Sequence, residues 1–350
     1  MSGKQLSPLQ SAIRRLTMGE SLAAEEVREC FHLVMSGEAT AAQIAGLLVG
    51  LRVKGETPAE VAGVARAMRE AMVRLPADRP EELVDTCGTG GGTVPTFNIS
   101  TAAALLAAGT GVRVAKHGNR SFTSQSGSAD VLEALGVNIE VPLPVMETAL
   151  RDCGLVFMYA PLMHPAMRHV GPVRRELAIA TVMNIVGPLA NPAGAGRQVV
   201  GVADAHRVPL IAGALRELGS LHTLVVHGSG MDEVSPLAPT HVLEIRGGQL
   251  REWMIEPETY GFRGIHEGQL AGGMPADNAR VIEEVLSGDG NVGATAAVVL
   301  NAAAALYVAG DTISFGGAVE TARDALAAGA GMAALEKLRR AYSGVERAGA

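Results

Sequence analysis

The chain has 350 residues, enough for about two to three domains with a core that needs no disulfides. Its 29 Lys and Arg against 36 Asp and Glu give a net charge of -7. We therefore expect no broad basic surface and no nucleic-acid partner. Hydrophobic residues make up 48% of the chain and charged residues 19%, which is typical of a globular protein rather than a disordered one.

The apolar runs and the cysteines of the sequence predict the cellular compartment of the protein. Residues 1–10 lack the apolar core of a secretion signal, and the most apolar run, 294–309, is short and interrupted by Asn301. Cys30, Cys87 and Cys153 lie far apart, lack metal-type spacing and cannot pair evenly, which suits a reducing compartment. We therefore expect a cytoplasmic protein with no membrane partner.

The first part of the chain predicts helices only. Thr40 and Gln43 have the spacing of a capping box, and the helix they begin is expected to end at Gly55. Thr57 and Glu60 repeat the same pattern. We expect two antiparallel helices here.

A proline-containing stretch at 75–80 predicts a break, because each proline disfavours helix in the residue before it. After it, short β-branched runs alternate with helical segments, which indicates a parallel sheet with crossover helices. The strand-like runs are 83–85, 112–115, 137–141, 155–159, 198–202 and 221–226, and the helical segments are 99–108, 129–135 and 208–218.

Three later segments complete the predicted fold. Residues 165–186 are predicted to be helical and are assigned to the helical domain, 241–245 and 249–255 are predicted as a β-hairpin, and the remainder as two or three Ala-rich helices. The fold class is α/β, with a small all-helical domain and a larger α/β domain with a mostly parallel central sheet. The helical domain is predicted to comprise 1–80 and 162–192, and the α/β domain 81–161 and 193–350.

A glycine-rich loop between a predicted strand and helix, 85–101, has the composition of a phosphate site. Its glycines let backbone N–H groups approach an anion at the positive end of a helix. Neither the Walker spacing nor the dinucleotide motif fits, so a turn that only packs the helix on the strand remains an alternative. The side-chain donors in the loop are Thr89, Thr96, Asn98, Ser100 and Thr101.

The next predicted strand ends in Lys116-His-Gly-Asn-Arg120, followed by Ser121, Thr123, Ser124 and Ser126. Because ligands collect at the carboxyl ends of parallel strands, this loop and the glycine-rich loop should face one crevice. Cations and hydroxyls there would bind a polyphosphate. A structural, hydrogen-bonded role for His117 remains the alternative.

Two charged pairs are further candidates. Asp232 and Glu233 follow a predicted strand, and adjacent carboxylates near phosphate suggest Mg²⁺, although such a pair is also common on solvated surfaces. Arg174 and Arg175 lie about 100 degrees apart on a helix, so at most one should face a crevice and grip a carboxylate; both could equally be surface cations.

Three other histidines carry no functional prediction. They lack the spacing of a zinc-binding helix and are interpreted as structural, and no catalytic triad can be argued from the order of the residues. These histidines are His222, His227 and His241.

Taken together, the segments resemble the anthranilate phosphoribosyltransferases, and the likeness runs almost end to end. Their order and spacing make the match specific. The segments are Cys87-Gly-Thr-Gly-Gly91, Thr96-Phe-Asn-Ile-Ser-Thr101, Lys116-His-Gly-Asn-Arg120, Gly127 to Gly136, His164 to Met167, Val173 to Leu177, Asn184, Gly187-Pro-Leu189, Asn191-Pro192, Asp232-Glu-Val-Ser235 and Asn301 to Ala305.

The resemblance implies a fold of the nucleoside phosphorylase and phosphoribosyltransferase type, in a homodimer joined through the helical parts. It implies that the amine of anthranilate displaces Mg-bound pyrophosphate from C1 of phosphoribosyl pyrophosphate. This reaction is the second step of tryptophan biosynthesis from chorismate. The partners are then the two small-molecule substrates.

The resemblance also implies site residues. No catalytic residue is certain, and His117 is the candidate general base, although a base is optional for a neutral aromatic amine. Anthranilate is assigned to Gly88, Asn119 and Arg174, with Pro161 lining its path, and metal to Ser100, Asp232 and Glu233. Phosphoribosyl pyrophosphate is assigned to Gly88, Gly91, Gly92, Thr96, Asn98, Ile99, Ser100, Thr101, Lys116, His117, Gly118, Asn119, Arg120, Ser121, Ser124 and Ser128.

The sequence departs from the family at two places. The family commonly has Asp where this chain has Gly92, so the second of the two Mg²⁺ ions expected per monomer loses a carboxylate. The run 175–181 lacks the usual Gly and Arg, a difference we interpret as structural. Two alternatives stay open: a nucleoside phosphorylase, and a non-catalytic relative that binds nucleic acid.

Overall fold

The structure is a computed structural model that describes residues 6–121, 125–310, 312 and 314–344. In chain order the α-helices are α1 (Pro8–Thr17), α2 (Ala24–Met35), α3 (Ala41–Lys54), α4 (Pro58–Ala71), α5 (Ile99–Gly109), α6 (Ser128–Ala134), α7 (Leu143–Cys153), α8 (Ala160–Met163), α9 (Gly171–Leu177), α10 (Val208–Glu217), α11 (Pro275–Leu286), α12 (Val292–Ala309), α13 (Phe315–Ala327) and α14 (Ala330–Ala341). The strands are β1 (Val84–Gly88), β2 (Val114–Gly118), β3 (Leu155–Tyr159), β4 (Arg197–Gly201), β5 (His222–His227), β6 (Thr240–Arg246) and β7 (Gln249–Ile255).

The chain divides into two compact units. The first consists of Met1–Val73, Pro161–Pro192 and Pro209–Gly219, and the second of Arg74–Ala160, Ala193–Val208 and Ser220–Ala350. The first unit therefore includes most of α10, which the sequence prediction placed in the α/β domain, while residues 74–80 go with the second unit.

Local capping signals define the helices of the first unit. Gln43 N donates to Thr40 Oγ1 over 3.3 Å, and Thr40 N donates to Gln43 Oε1 over 3.0 Å, so both orphan donors at the start of α3 are satisfied. The helix ends where Gly55 takes a φ of 89°. The capping box at Thr57 and Glu60 likewise begins α4. The two helices are confirmed, whereas their antiparallel pairing stays a prediction, since α3 packs mainly on α1 and α4 on α2.

The helical prediction for 165–186 is confirmed in part, because the segment is helical but broken into short pieces. A 3-10 turn, Pro165–His169, precedes the short α9, and two further 3-10 turns, Val182–Asn184 and Gly187–Leu189, follow it. Helix α9 is followed by its C-cap residue Ala178, whose φ of 50° places a non-glycine residue in the left-handed region. Prolines and this turn divide a segment whose apolar pattern is helical.

The second unit is built on a seven-stranded sheet in the order β3-β2-β1-β4-β5-β6-β7. The first five of these strands pair in parallel and the last two pairings are antiparallel, so the predicted mostly parallel sheet is confirmed. The predicted hairpin is present: Gly247 and Gly248 have φ of 56° and 78°, which suits the tight turn between β6 and β7.

One predicted strand is absent. Residues 137–141 form no strand, although Val137, Ile139 and Val141 are buried. These side chains pack inward from an extended connection that leads into Pro142 and α7. Alternating apolar residues signal a buried face, but a strand also requires a neighbour with which to pair.

In the described part of the chain, four α-helices follow the hairpin rather than the predicted two or three: α11, α12, α13 and α14. Helix α12 is long and apolar enough to cross a membrane, with a mean hydropathy of 1.8, but 83% of it is buried against its neighbours. It packs on α5 and α13, and its alanines let the helices approach closely. The helix is the centre of the core on one side of the sheet.

A buried polar cluster joins the sheet to α12. The Glu244 carboxylate is hydrogen-bonded to His222 Nε2 at 2.8 Å, and it accepts from Trp253 Nε1 at 2.9 Å and Tyr307 OH at 3.2 Å. Burial alone would raise the pKa of Glu244, but these hydrogen bonds hold it below its usual value. The cluster keeps a charge buried at the sheet.

Candidate active site

The glycine-rich loop begins where β1 ends and leads into α5. Thr89 N donates to Gly201 O over 2.9 Å, which ties the loop to the end of β4. Gly90 and Gly91 then take φ of 71° and 82°, a conformation that side chains rarely adopt. Asn98 precedes α5 without capping it through its side chain. At the helix start Ser100 N donates to Glu233 Oε1, and Thr101 N and Ala102 N donate to Asn98 O.

Asp232 and Glu233 lie against this loop. Gly90 N donates to Asp232 Oδ2 over 2.8 Å, and Ser100 N donates to Glu233 Oε1 over 3.1 Å. The carboxylate pair is therefore held by one amide of the loop and one amide from the start of α5. The structure places it at the carboxyl ends of the parallel strands.

Two glycines allow this close approach. Gly88 and Gly201 are neighbours in the register of β1 and β4. A Cβ atom on Gly88 would lie 2.3 Å from Asp232 Oδ2, and one on Gly201 would lie 1.7 Å from Asp232 O. A side chain at Gly201 would displace the backbone of the carboxylate segment, and one at Gly88 would displace the Asp232 carboxylate.

Lys116 connects the second loop to the first. It lies on β2, is 3% exposed, and its Nζ donates to Thr86 O over 2.6 Å and to Ser100 Oγ over 3.2 Å. The two predicted loops therefore converge on one crevice. Burial lowers the pKa of Lys116, and the nearby Asp85 opposes that shift.

The electrostatics of the carboxylate pair favour a cation. Burial raises the pKa of Asp232, and burial together with the neighbouring Asp232 raises the pKa of Glu233. Within the described ranges no group of three or more His, Cys, Asp or Glu side chains is placed to hold a metal. Two carboxylates and a serine hydroxyl fit Mg²⁺, which takes one or two carboxylates and completes its coordination with water and substrate oxygens. The cavity beside them is lined by Thr86, Cys87, Ser100, Ala103, Val199, Gly201, Val226, Glu233 and Asn301.

The loop after β2 is braced by its own neighbours. Asp130 accepts from Ser121 N over 3.1 Å and Gly127 N over 2.9 Å. Arg120, predicted to bind substrate, forms ion pairs with Asp130 and Glu133, at 2.9 and 2.5 Å. The Nη1 nitrogen of Arg120 donates to both carboxylates, and its Nε donates to the Tyr159 hydroxyl, so both nitrogens already have protein partners. Ser124 lies outside the described residues.

Other predicted residues occupy less direct positions. Ile99 and Thr101 are buried in the first turn of α5, so their side chains are shielded from solvent. A Cβ atom on Gly118 would lie 2.1 Å from Ser128 Oγ, so Gly118 lets α6 approach β2. His117 donates its backbone N–H to Asp85 Oδ1 over 3.2 Å, and its side chain is half-buried.

The histidines interpreted as structural hydrogen-bond to protein groups. His227 Nδ1 lies 2.8 Å from Val202 O, and His241 Nε2 lies 2.6 Å from Glu252 Oε1. His222 belongs to the buried Glu244 cluster.

Arg174 lies in the other unit, on α9, and is half-buried, whereas Arg175 is exposed. Burial lowers the pKa of Arg174. Its guanidinium forms no hydrogen bond or ion pair with the part of the chain that the structure describes, in contrast to the ion-paired Arg120. A half-buried cation of this kind is suited to an anionic ligand.

The sequence interpretation did not assign a role to Asn301, which supports the carboxylate pair from α12. Its Oδ1 accepts from Val234 N over 2.9 Å and its Nδ2 donates to Val234 O over 2.8 Å, fixing the residue next to Glu233. The sequence signal that could have found Asn301 was a polar residue within an apolar helix. A buried side-chain amide needs hydrogen-bond partners, so such a residue indicates a structural contact.

The fold is that of the glycosyl transferase family. The family model described as a glycosyl transferase a/b domain matches residues 80–332, and the model of the corresponding helical bundle domain matches residues 10–72.

More particularly, the chain belongs to the anthranilate phosphoribosyltransferase family. It is 47% identical over 333 residues to the enzyme of that name from Rubrobacter xylanophilus, covering 95% of this chain and 97% of the relative. It is 48% identical over 333 residues to that from Haloferax volcanii, covering 95% of this chain and all of the relative. The predicted family and enzyme class are confirmed.

Solved structures agree with this assignment. The anthranilate phosphoribosyltransferase of Thermus thermophilus superimposes with a TM-score of 0.89 at 43% identity, covering 95% of this chain and 99% of that one. The enzyme of Saccharomyces cerevisiae in complex with phosphoribosyl pyrophosphate and Mg superimposes with a TM-score of 0.87 at 26% identity, covering 96% and 98%. The predicted fold class is confirmed.

Proposed function

We propose that this chain transfers the phosphoribosyl group of phosphoribosyl pyrophosphate to the amine of anthranilate. The products are N-(5-phosphoribosyl)anthranilate and pyrophosphate, in the second step of tryptophan biosynthesis from chorismate. Family membership supports the reaction, and the convergence of Lys116 and Glu233 on Ser100 is the observation that carries it. That arrangement combines a cation, a carboxylate and a hydroxyl at the start of a helix.

The glycine-rich loop and Lys116 would hold the donor. The positive end of α5 suits a polyphosphate, and the open space around Gly90 and Gly91 leaves room for one. Lys116 is fixed by Thr86 and Ser100, so its charge would not need to reorganise when the donor binds. The loop supplies position and the lysine supplies charge.

Asp232, Glu233 and Ser100 would hold Mg²⁺ at the leaving group. When bound, Mg²⁺ neutralises negative charge that grows on pyrophosphate as the anomeric bond breaks. Burial raises the pKa of both carboxyl groups, and a bound cation would favour their charged forms. Fixed donors at the leaving group would provide most of the catalysis, since no protein nucleophile is required.

Arg174 would grip the carboxylate of the acceptor, with Gly88 and Asn119 as further contacts. A half-buried guanidinium offers a charge-assisted, two-pronged hydrogen bond to a carboxylate. The aromatic amine is neutral near pH 7 and already carries its lone pair, so a general base is optional. His117 is our candidate if one is used.

Two Mg²⁺ ions per monomer are proposed, and the position of Gly92 bears on the second. A Cβ atom there would lie 3.7 Å from Asp232 Oδ1 and 3.0 Å from Gly230 O. An aspartate would thus bring a third carboxylate to the pair. Without it, we expect weaker binding of the second ion.

We also propose a cytoplasmic homodimer joined through the helical units. Met18 and Val53 are 63% and 81% exposed on that unit, unusual for large apolar side chains. Light scattering on the purified protein tests the oligomeric state, and a monomer at micromolar concentration contradicts the proposal.

The test of the activity mixes the purified protein with anthranilate, phosphoribosyl pyrophosphate and Mg²⁺ and follows the loss of anthranilate fluorescence. We expect turnover that requires all three components. Nicotinic acid and uracil serve as competing acceptors, and a nucleoside with inorganic phosphate tests the phosphorylase alternative. Turnover of the nucleoside, or none with anthranilate, would overturn the proposed function. A salt-titrated DNA-binding assay tests the non-catalytic alternative.

A further inference from the structure

A chain of side-chain amides links α11 to the glycine-rich loop. Asn278 Nδ2 donates to Asn98 Oδ1 over 2.9 Å, and Asn98 Nδ2 donates to Ser126 O over 3.1 Å. Ser126 Oγ also donates to Asn98 Oδ1, over 3.0 Å. Asn98 thus joins the end of the glycine-rich loop to the loop that follows β2.

The orientation of both amides is fixed by backbone groups. Gly273 N donates to Asn278 Oδ1 over 2.8 Å, so the Nδ2 of Asn278 must face Asn98. Asn98 must then present Oδ1 to Asn278 and Nδ2 to Ser126 O, which can only accept. The direction of every hydrogen bond follows from one backbone donor and one backbone acceptor.

The same region is packed by backbone contacts. Phe97 N donates to Leu270 O over 3.0 Å, and a Cβ atom on Gly272 would lie 2.2 Å from Thr96 O. Asn278 is 2% exposed, so its amide is out of reach of solvent and of any ligand. Its contacts are with the segment that carries the site.

We infer that Asn278 is a positioning residue for the phosphoribosyl pyrophosphate site, acting through Asn98. The inference rests on the proposed function, because it assumes that Asn98 meets the donor. Asn98 is half-buried, and the second N–H of its Nδ2 makes no hydrogen bond within the described ranges. Asn278 and Ser126 together hold the amide so that this N–H, rather than a carbonyl oxygen, is presented to an anionic ligand.

The main variant is Asn278→Asp, which has nearly the same shape and still accepts from Gly273 N but cannot donate to Asn98. The Asn98 oxygen then faces a carboxylate oxygen instead of a donor, so the amide is expected to lose its fixed orientation and to present its N–H to the ligand less often. We expect the KM for phosphoribosyl pyrophosphate to rise at least about tenfold, the effect of a lost hydrogen bond to an anion. The KM for anthranilate should stay within about twofold, since the lost contact lies at the donor subsite.

Asn291→Ala is the matched control. Asn291 also accepts a backbone N–H, from Ala294, but caps α12 and contacts neither loop. Its loss should lower the melting temperature with both KM values unchanged. Equal KM shifts in the two variants would show a general loss of stability and overturn the inference.

A double-mutant cycle separates action through Asn98 from any other effect. Asn278→Ala should raise the donor KM in the parent chain and leave it unchanged in an Asn98→Ala background. Additive effects would overturn the inference. Direct binding of phosphoribosyl pyrophosphate by calorimetry gives a readout that does not depend on turnover. If the parent chain binds the donor but transfers nothing to anthranilate, the proposed function fails while the calorimetric comparison still tests Asn278.

Discussion

Substituting Gly201 by alanine tests whether the carboxylate segment is seated on the strand ends. The added Cβ would lie 1.7 Å from Asp232 O, whereas ordinary contacts of this type begin at 3.4 Å. The added Cβ is fixed to the backbone of β4 and the atom it meets belongs to the backbone of Asp232. One of these two segments must therefore move by about the difference between the two distances. The hydrogen bond from Gly90 N to Asp232 Oδ2 is 2.8 Å long and is lost beyond about 3.5 Å.

The expected effect is large because the carboxylate oxygens that we propose to bind Mg²⁺ move with the segment. Misplacing a catalytic group by about 1 Å can cost about 100-fold, so we expect kcat/KM to fall by about that factor. The overpacking should also lower the free energy of unfolding by about 1–3 kcal/mol. Steady-state kinetics with a Mg²⁺ titration measures the first quantity and urea unfolding measures the second.

A control keeps the two effects apart. Gly316→Ala adds the same methyl group within α13, where its Cβ would meet only Tyr260 Cε1 at 3.8 Å, and it should retain full activity. Gly88→Ala is expected to be milder for stability, because its clash is with the Asp232 carboxylate, which can rotate. A folded Gly201→Ala protein with parental kcat/KM and Mg²⁺ dependence would refute the reasoning.

Four further expectations concern separate parts of the molecule. Arg174→Ala should raise the KM for anthranilate by about 10- to 100-fold and leave that for the donor nearly unchanged; an unchanged anthranilate KM in steady-state assays would remove Arg174 from the acceptor site. Gly92→Asp should lower the Mg²⁺ concentration for half-saturation, seen by calorimetry and activity, by about tenfold, and identical curves would show that position 92 is remote from the metal. Ala178→Gly should stabilise the chain by about 0.5–1 kcal/mol in urea unfolding, because it relieves a left-handed alanine, and the same change at the exposed Ala180 should not; equal effects would argue against strain. The folded-state pKa of Glu244 lies below the usual 4.5, so its stabilising contribution is present above that pH and is lost on acidification. The free energy of unfolding should therefore fall more steeply below pH 4.5 in the parent than in Glu244→Gln, and parallel curves would contradict the assignment.

Features controlled by near neighbours in the chain were predictable. The capping boxes before α3 and α4 and the paired glycines between β6 and β7 each act within a few residues, and all are present. The alternation of strands and helices likewise predicted the mostly parallel sheet. The prediction failed at 137–141, where the apolar pattern was correct for burial but no partner strand was available.

The site was predicted as a set of residue types, whereas its internal geometry was not. Sequence reasoning brought Asp232 and Glu233 to the sheet edge, but nothing local showed which amides hold them. Arg120 illustrates the limit: its position beside the loop suggested a ligand contact, and its ion pairs with Asp130 and Glu133 became visible only when α6 was placed.

By itself, the sequence determined the helix ends, the hairpin, the chemical character of the two loops and the likeness to a family. The tertiary structure decided that Gly88 and Gly201 lie side by side beneath Asp232, that burial shifts the carboxyl pKa values, and that Asn278 reaches Asn98 across 180 positions of chain. The physical reason is range: a cap or turn is stabilised by groups a few bonds away, whereas desolvation and close packing depend on atoms that only the folded chain brings together.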